Sequence, residues 1–414
     1  MEKQKQFLIN QLIKINDFAV SLEHTKKIIS KLNLNLTPKY PIILIGGTNG
    51  KGSTCAYLTN ILSHSSYKVG TFTSPHIFEY NERISINNIS INDEMLIETL
   101  KHIIDVSENS LGLFKTFTLA AHKIFEQQQI DIAIIEVGLG GNNDVTNLFE
   151  PTISAITNVD FDHCEILGNT LDAIGLEKAG IFRKNKWGFF GSKNIPNSII
   201  NYTNKINTNL QIFGRDFYAT EHELSFDFLY YENSLYSIPY PGLRGAQQIN
   251  NVCLALAILT KLPNFPVSIN IIKTALLQTK ILGRFQLLPG IPQIVLDVAH
   301  NSQAVSIMLK NMVKLPMVKN NYAVFGIAKE KDIASIIGLC KDKFTKWFIA
   351  KINSPRGVAN SELLPIFKQH NILEDNIIEC INIKDAFIQA KNISSIEDRI
   401  VCFGSFLVIE EVNK

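Results

Sequence analysis

A glycine-rich segment at residues 46–54 has the residue types that bind phosphate. The segment reads GGTNGKGST and follows the apolar run IILI at 42–45. A short β-branched run predicts a buried strand, and Ser53-Thr54 predicts the start of a helix. Backbone N–H groups at such a turn face a bound anion, and the helix N-terminus adds positive potential. We therefore predict that Lys51 contacts the terminal phosphates of a ligand and that Ser53 binds Mg²⁺.

The match to the general phosphate-loop pattern GxxxxGK[ST] is incomplete. Ile45 occupies the position of the first glycine, and Gly52 follows the lysine. The alternative is a plain glycine-rich turn with an exposed lysine, which the strand and helix patterns on either side disfavour. The predicted phosphate-binding residues are Thr48, Asn49, Gly50, Lys51, Gly52 and Ser53.

Residues that could bind a metal follow two further apolar runs. Glu136 comes directly after the run 132–135, and Asp162 and His163 come shortly after the run 153–156. A carboxylate at the carboxyl end of a parallel strand faces the ligand crevice, and Mg²⁺ prefers oxygen ligands. Side-chain chemistry alone favours Asp162 over His163 as the second ligand, because imidazole is an unusual ligand for Mg²⁺. The alternative for His163 is a structural role.

These segments need a scaffold that brings strand ends together. Apolar runs alternate with helical patterns such as 118–127, which predicts a doubly wound parallel sheet. Residues 185–240 are rich in Asn, Ser and Tyr and predict a smaller β excursion. A second series of strands and helices follows the linker-like run 289–292, which reads PGIP. We predict an α/β protein with a large domain at 1–288 and a smaller Rossmann-like α/β domain at 289–414.

The composition of the 414 residues excludes several classes of protein. Hydrophobic residues make up 46% and charged residues 19%, which excludes a disordered chain. The 40 Lys and Arg nearly balance the 38 Asp and Glu, so we expect no nucleic-acid partner. The sequence has no apolar stretch of membrane-spanning length, no signal-peptide pattern and no CxxC pair among its six cysteines. We therefore expect a cytoplasmic protein without a membrane partner.

Six motifs occur in the order typical of one family. They are GTNGKGS from residue 47, TSPH from 73, EVGLGGNNDVTN from 136, EKAGIF from 177, GRFQ from 283 and DVAHN from 297. Together they resemble the folylpolyglutamate synthase and dihydrofolate synthase branch of the Mur-ligase superfamily. The resemblance extends from about residue 42 to 407 and implies a large P-loop domain of the Mur-ligase central type.

The resemblance implies roles in binding metal and nucleotide. It makes His163 a Mg²⁺ ligand, and it implies that Lys178 is carbamylated and helps to hold a second metal, although Lys178 taken alone would be a surface helix residue. The implied catalytic residues are Lys51, Lys178 and His163. The implied metal ligands are Ser53, Ser74, Glu136, His163 and Lys178. The further ATP-binding residues that it implies are Asn251, Arg284, Asp297 and His300.

The resemblance also implies a binding site for a pterin. In the family, a segment T-x-F-E contacts dihydropteroate and its Phe packs on the pterin. The corresponding segment 112–115 reads GLFK, so Phe114 is kept while Gly112 and Lys115 replace the Thr and the Glu. Asn142 likewise stands where the family has Arg. The implied substrate-binding residues are His76, Phe114, Asn143, Asp144 and Val145.

The activity that the resemblance implies is ATP-dependent ligation through an acyl phosphate. Such an enzyme adds L-glutamate to dihydropteroate, giving dihydrofolate, and to reduced folates such as tetrahydrofolate, giving polyglutamates. The implied cofactors are Mg²⁺ and a monovalent cation, with ATP as co-substrate. We expect a monomer whose partners are these small molecules.

Four alternatives differ in the expected chemistry. A monofunctional folylpolyglutamate synthase would use folates alone. A Mur-type ligase acting on a nucleotide-linked sugar peptide would normally carry a further N-terminal domain, whereas about forty residues precede the loop. A GTPase would need the pattern N-K-x-D, but residues 157–160 read TNVD. A non-catalytic ATP-binding protein would be expected to have lost residues such as Lys51, Glu136 or Lys178.

Overall fold

The computed structural model describes residues 1–245 and 247–414, which form two compact units. The first unit contains Met1–Val159, Leu167–Gly242 and Ile249–Thr279. The second unit contains Asp160–Ile166, Leu243–Gln248 and Lys280–Lys414.

Buried apolar runs form the central strands of the sheet in the first unit. In chain order its strands are β1 (Ile42–Gly46), β2 (Val69–Phe72), β3 (Ile84–Ile86), β4 (Ile89–Ser90), β5 (Ile132–Glu136), β6 (Ile153–Ile156), β7 (Trp187–Phe190) and β8 (Asn209–Ile212). Their order across the sheet is β4-β3-β2-β5-β1-β6-β7-β8. From β2 to β8 the neighbours are parallel, whereas β3 and β4 extend the edge in antiparallel pairing. The predicted doubly wound parallel sheet is confirmed.

Helices connect and flank these strands. Those up to residue 279 are α1 (Glu2–Ile13), α2 (Leu22–Lys31), α3 (Lys51–His64), α4 (Asp93–Ser107), α5 (Leu113–Gln127), α6 (Cys164–Leu167), α7 (Leu171–Ala179), α8 (Asn197–Ile206), α9 (Gln247–Leu259) and α10 (Ile269–Gln278). Short 3₁₀ helices occur at Asp17–Ala19, Tyr80–Arg83, Val145–Leu148 and Glu374–Asn376. Helix α4 has an ordinary cap, since the Asn92 side chain accepts from Met95 N, whereas the cap position of α5 is Gly112.

The predicted β excursion at 185–240 is partly wrong. Its second half forms a three-stranded antiparallel sheet in the order β11-β10-β9, made of β9 (Tyr218–Glu221), β10 (Ser225–Leu229) and β11 (Leu235–Pro239). Its first half instead contributes β7 and β8 to the main parallel sheet. The sequence of β7, WGFF, is aromatic rather than β-branched, so it lacks the usual pattern of a buried parallel strand.

The second unit is built on its own, mostly parallel sheet. Its strands are β12 (Gln286–Leu288), β13 (Gln293–Leu296), β14 (Asn320–Phe325), β15 (Lys346–Ile349), β16 (Ile377–Glu379) and β17 (Asp398–Phe403). They lie in the order β12-β13-β17-β14-β15-β16, and β12 pairs antiparallel with β13. The helices are α11 (Ser302–Val313), α12 (Ile333–Cys340), α13 (Asn360–Gln369), α14 (Ile383–Ile393) and α15 (Phe406–Asn413). This is the predicted Rossmann-like α/β architecture.

The run PGIP at 289–292 is not a linker. It joins β12 to β13, which pair within one sheet, and Pro and Gly here mark the turn between two antiparallel strands. Contacts group the chain from Lys280 onward with the second unit. The boundary between 288 and 289 stays a prediction about where the domains divide.

Aromatic side chains fill the core of the second unit. Trp347 is fully buried, and its ring lies edge-on to Phe325 and Phe367 at centroid distances of 5.8 and 4.9 Å. Throughout the part of the chain that the structure describes, no helix has both the length and the hydrophobicity that crossing a membrane would require.

Candidate active site

The phosphate loop leaves β1 at Gly46 and runs against the residue that follows β6. Gly47 has a φ of +134°, a backbone conformation that residues with a side chain rarely adopt. A Cβ atom at Gly47 would lie 1.9 Å from Thr157 Oγ1. The loop therefore needs glycine at this position for both its backbone conformation and its close contact.

Two residues after β6 hold the loop. Thr48 N donates to Asn158 O, and Asn49 N donates to Asn158 Oδ1, each at 3.0 Å. Thr157 Oγ1 donates to Asn49 O at 2.6 Å. Because β6 pairs directly with β1, the neighbouring strand fixes the conformation of the loop.

Two lysine amines meet at the loop. Lys51 Nζ donates to Gly47 O at 3.0 Å and to Thr48 O at 3.2 Å. Lys178 Nζ donates to the same Gly47 oxygen at 3.2 Å, and Lys178 is only 4% exposed. The Lys51 amine beside this turn creates a positive potential that suits a polyphosphate. The structure thus brings the predicted residues Lys51 and Lys178 together.

The remaining predicted loop residues lie at the start of α3. Gly52 and Ser53 are in its first turn, where N–H groups have no acceptor within the helix and suit an anion. Asn251 of α9 lies against the loop, since a Cβ atom at Gly50 would be 2.6 Å from Asn251 Oδ1. The contact of Asn251 with ATP stays a prediction.

Glu136 and Ser74 meet at the end of β5. Glu136 is aligned with Ile45 of β1, and its Oε2 accepts from Ser74 N at 3.2 Å. The charge of Glu136 also affects Cys55 in α3. Burial is the largest cause that raises the pKa of the Cys55 thiol, and Glu136 raises this pKa further, whereas Lys51 lowers it. A carboxylate at the carboxyl end of a buried strand, with Ser74 beside it, fits a hard cation such as Mg²⁺. Within the described residues, His, Cys, Asp and Glu form no metal-binding group of three or more.

An aromatic cluster lies beside the same strand end. We define it as Phe72, His76, Tyr80, Phe114 and Phe117. Ring centroids are 5.7 Å apart for Phe72 and Phe114, 4.0 Å for His76 and Tyr80, and 6.0 Å for Tyr80 and Phe117. The contacts form two ring groups: the predicted residue Phe114 contacts Phe72, and the predicted residue His76 contacts Tyr80, which contacts Phe117. Helix α5 joins the two groups, because it carries both Phe114 and Phe117.

The Phe114 ring covers the backbone that follows β5. A Cβ atom at Gly138 would lie 2.4 Å from Phe114 Cζ, so this glycine makes room for the ring. Gly138 is two positions after Glu136. The ring predicted to face the pterin and the carboxylate predicted to bind metal therefore belong to the same strand end.

Arg83 orients His76 in the cluster. Arg83 Nε donates to His76 Nδ1 at 3.0 Å, and the guanidinium lies within 5.7 Å of the centroids of Tyr80 and Phe117. Burial, followed by the charge of Arg83, lowers the pKa of His76 to about 3. His76 is therefore neutral at neutral pH, and because its Nδ1 accepts, the ring proton is on Nε2. This proton can be donated to a ligand.

Asp144 is a buried acceptor that shapes the loop after β5. Its carboxylate accepts from Gly138 N at 3.1 Å, Leu139 N at 3.0 Å and Thr146 N at 2.9 Å. Thr146 Oγ1 adds a fourth hydrogen bond at 2.6 Å. Burial raises the pKa of Asp144, and these donors oppose that effect. Asp144 thereby fixes the backbone on which the Phe114 ring lies.

The residues before and after Asp144 in the chain make different contacts. Asn143 N donates to Glu177 Oε1 of α7 at 3.1 Å, and Val145 is 2% exposed in the core. Asn142 N likewise bonds to this helix, at Glu177 O. Substrate contacts of Asn143 and Val145 stay predictions.

The second unit contains a cluster of charged and polar side chains around Asp162. Asp162 Oδ1 accepts from Lys331 Nζ at 2.8 Å, and Asp162 Oδ2 accepts from Asn301 Nδ2 at 3.1 Å. His163 Nε2 is 3.9 Å from Asp162 Oδ2, and His300 Nε2 is 3.8 Å from it. Burial raises the pKa of Asp162, but the charges of Lys331, His163 and His300 hold it well below its usual value. Of the predicted metal ligands, His163 alone belongs to the second unit.

Three residues predicted to bind ATP lie around the end of β13. Asp297 accepts from Ala299 N at 2.9 Å and Phe285 N at 3.2 Å. Burial raises the pKa of Asp297 to about 6, although Arg284 opposes this. Burial and then Lys331 lower the pKa of His300 to about 4, while its Nδ1 donates to Val298 O at 2.7 Å. The contacts of these three residues with ATP stay predictions: Arg284, Asp297 and His300.

Two residues outside the predicted set also determine this geometry, Asn158 and Asp17. Asn158 has a recognisable signal, because it follows a predicted strand as Glu136 does. Asp17 has no such signal, because it belongs to no motif in the sequence, yet its carboxylate accepts from Phe114 N at 2.8 Å.

Comparison with known protein families supports the resemblance. Residues 45–259 match the Mur ligase middle domain, and residues 283–406 match the Mur ligase glutamate ligase domain. The dihydrofolate synthase/folylpolyglutamate synthase of Buchnera aphidicola subsp. Schizaphis graminum is 34% identical over 94% of this chain and 91% of the relative.

Solved structures agree with that result. The structure of E. coli FolC in complex with DHPP and ADP has a TM-score of 0.90 at 29% identity, covering 100% of this chain and 96% of the other. A bifunctional folylpolyglutamate synthase/dihydrofolate synthase with Mn, AMPPNP and L-glutamate bound has a TM-score of 0.86 at 29% identity, covering 95% and 93%. The chain therefore belongs to the dihydrofolate synthase/folylpolyglutamate synthase family of Mur ligases.

Proposed function

We propose that this chain is an ATP-dependent ligase that adds L-glutamate to dihydropteroate, giving dihydrofolate, and to reduced folates, giving polyglutamates. The observation that carries the proposal is the pairing of β1 with β5. The phosphate loop follows β1, and Glu136 and the Gly138 backbone under Phe114 follow β5. Neighbouring strand ends therefore hold groups suited to a polyphosphate and to an aromatic acceptor.

The reaction that these groups support is carboxylate activation. The acceptor carboxylate attacks the γ-phosphorus of ATP, ADP leaves, and an acyl phosphate forms. Lys51 and the N–H groups at the start of α3 stabilise the charge on the transferring group. The amine of L-glutamate then attacks the acyl carbon, phosphate leaves with one oxygen of the acceptor carboxylate, and an amide remains.

The residues that would hold Mg²⁺ are Ser53, Ser74 and Glu136, together with His163 as the family resemblance implies. Bound there, the ion would neutralise charge on the phosphates. The hydrogen bond between Ser74 N and Glu136 supports a shared role for these two residues. Glu136→Gln should raise the Mg²⁺ concentration needed for half-maximal turnover, whereas an unchanged requirement would argue against Glu136 as a ligand.

Lys178 is proposed to be carbamylated. Its neutral amine would add CO₂ to form a carbamate and release one proton, which turns a cation into an anion able to hold a second metal. Its burial beside Gly47 O supports a functional rather than a surface role. Lys178→Arg keeps a positive charge but has no amine that adds CO₂. We expect it to bind ATP without turnover, and normal turnover would refute the proposal.

The remaining proposals concern the nucleotide, the ions and the assembly. The proposed further ATP-binding residues are Asn251, Arg284, Asp297 and His300. We also propose a monovalent-cation requirement and a monomer, which replacement of the cation and sedimentation analysis would test. All six cysteines are free thiols, which supports the expected cytoplasmic, reducing environment.

Product analysis with two acceptors tests the proposed function. Purified protein would be incubated with MgATP and L-glutamate, with dihydropteroate in one tube and tetrahydrofolate in another. We expect phosphate release and products heavier by one glutamate residue in both. Turnover with tetrahydrofolate alone would make the protein a monofunctional folylpolyglutamate synthase. Bound ATP without turnover in either tube would contradict the proposal and favour another acceptor, as in a Mur-type ligase, or a non-catalytic role.

A further inference from the structure

The helix that carries Phe114 begins without a side-chain cap of its own. α5 starts at Leu113, and its cap position is Gly112, which has no side chain to accept a hydrogen bond. The first N–H groups of a helix have no acceptor within the helix. An acceptor from another part of the chain is therefore needed at this end.

Asp17 supplies that acceptor from 97 positions earlier in the chain. Its Oδ2 accepts from Phe114 N at 2.8 Å, and its Oδ1 accepts from Lys115 N at 3.3 Å. The negative charge also lies at the positive end of the helix. The Lys115 amine in turn donates to Asp17 O, so that the two residues hold each other.

Asp17 also occupies the space that a side chain at position 112 would need. A Cβ atom at Gly112 would lie 2.6 Å from Asp17 Cγ, and 2.7 and 2.8 Å from its two carboxylate oxygens. Any other residue at 112 must displace this carboxylate. Gly112, Lys115 and Asp17 therefore form one interdependent set.

We propose that Asp17 is the positioning residue for Phe114, and that the set of Asp17, Gly112 and Lys115 determines how tightly this chain binds its acceptor. The inference rests on the proposed function, in which the Phe114 ring packs on the pterin. Asp17 holds the Phe114 backbone while the ring lies on Gly138. Without Asp17, the binding-competent position of the ring is only partly populated, and apparent affinity falls by that fraction.

Two single variants and their combination test the interdependence. Asp17→Ala removes the acceptor and should raise the KM for dihydropteroate and tetrahydrofolate about five- to tenfold, the effect of a lost helix cap. Gly112→Thr should also raise both values, because its Cβ meets Asp17. The double variant should return close to wild type, since the threonine introduced at position 112 then has room and caps α5 itself.

The same reversal is expected at position 115. Lys115→Glu places a second carboxylate beside Asp17 and should raise the acceptor KM. In the Asp17→Ala background, the same replacement should not raise the acceptor KM above that of Asp17→Ala alone. Both replacements restore residues of the T-x-F-E segment. The proposal therefore predicts that they are harmful while Asp17 is present and tolerated after its removal.

Ser268→Ala is the matched control, because it removes an ordinary helix cap at α10, where the Ser268 side chain accepts from Ile271 N. It should lower the melting temperature and leave the acceptor KM unchanged. In all variants the KM for ATP should stay at the wild-type value. Equal effects of Asp17→Ala and Ser268→Ala on the acceptor KM would overturn a positioning role. Additive losses in the double variant would overturn the interdependence.

Failure of the proposed function is separable from failure of this inference. If the wild-type chain has no turnover with either acceptor, the proposed function fails and the acceptor role of Asp17 fails with it. Denaturant unfolding of the same variants still decides the interdependence without substrate. A gain in stability from Gly112→Thr in the Asp17→Ala background supports it, and a further loss contradicts it.

Discussion

The phosphate loop and the aromatic cluster lie at the ends of paired strands, yet different parts of the chain hold them. The loop depends on its own glycines and on Asn158, which follows the adjacent strand β6. Phe114 depends on Asp17, which begins the short 3₁₀ helix between α1 and α2. Both sites therefore depend on a residue far away in the chain, since Asn158 is 109 positions from Asn49 and Asp17 is 97 positions from Phe114. The difference is that Asn158 follows a strand paired with β1, whereas Asp17 belongs to no strand of the sheet.

The difference explains where this chain departs from its family. The loop keeps the family sequence, and any change at Gly47 would meet Thr157. Around Phe114, Gly112 and Lys115 depart from T-x-F-E, and Asp17 occupies the space and supplies the hydrogen bonds at the start of the helix. The second site can change its sequence without losing its geometry when two parts of the chain change together.

Lys51→Ala should have the largest effect, because in the proposed mechanism it removes a charge that acts directly on the transferring phosphate. We expect a loss in kcat of roughly 10²- to 10³-fold with an unchanged melting temperature. Steady-state phosphate release would measure this. Lys101→Ala, at an exposed position of α4, is the control and should behave as wild type. Wild-type turnover by Lys51→Ala would remove the loop from the mechanism.

Asp144→Asn should have the next largest effect, because four donors face this carboxylate. The amide offers one acceptor oxygen, and its NH₂ group opposes the remaining donors. We expect a loss of about 3 kcal/mol in the free energy of unfolding and a higher acceptor KM. Denaturant unfolding would measure the loss, with the exposed Asp105→Asn as control. A midpoint equal to that of the control would show that Asp144 does not organise the loop.

Phe114→Ala sharpens the contrast between the sites. Loss of the ring should raise the KM for both acceptors about tenfold and leave the KM for ATP unchanged. Phe114→Leu keeps apolar contact and should have a smaller effect. A parallel rise in the KM for ATP would mean that the two sites are not independent.

Asp297→Asn extends the contrast to a half-buried carboxylate that accepts from two backbone donors, Phe285 N and Ala299 N. Its pKa is raised by burial from 3.8 to about 6. Between about pH 4 and 6 the folded chain therefore keeps a proton that the unfolded chain has lost, and stability falls as the pH rises. The expected slope is about 1 kcal/mol per pH unit, and Asp297→Asn should remove it. Parallel stability curves for the two proteins would contradict this.

The sequence predicts the parts of this protein in which local pattern and structure coincide. Apolar runs before Gly46 and after Asp131 identify β1 and β5, and strand ends then locate Lys51 and Glu136. The pattern fails at β7, where aromatic residues replace β-branched ones, and at the turn 289–292, where Pro and Gly suggest a linker. The role of Asp17 could not be predicted from the sequence, because it depends on a hydrogen bond between segments far apart in the chain.

The fate of the acceptor's carboxylate oxygen tests the central claim most directly. Dihydropteroate labelled with oxygen-18 in both carboxylate oxygens would be converted in the presence of MgATP and L-glutamate, and the released phosphate would be analysed by mass spectrometry. Ligation through an acyl phosphate predicts one labelled oxygen in each phosphate and ADP as the nucleotide product. Unlabelled phosphate, or AMP with labelled oxygen, would contradict it.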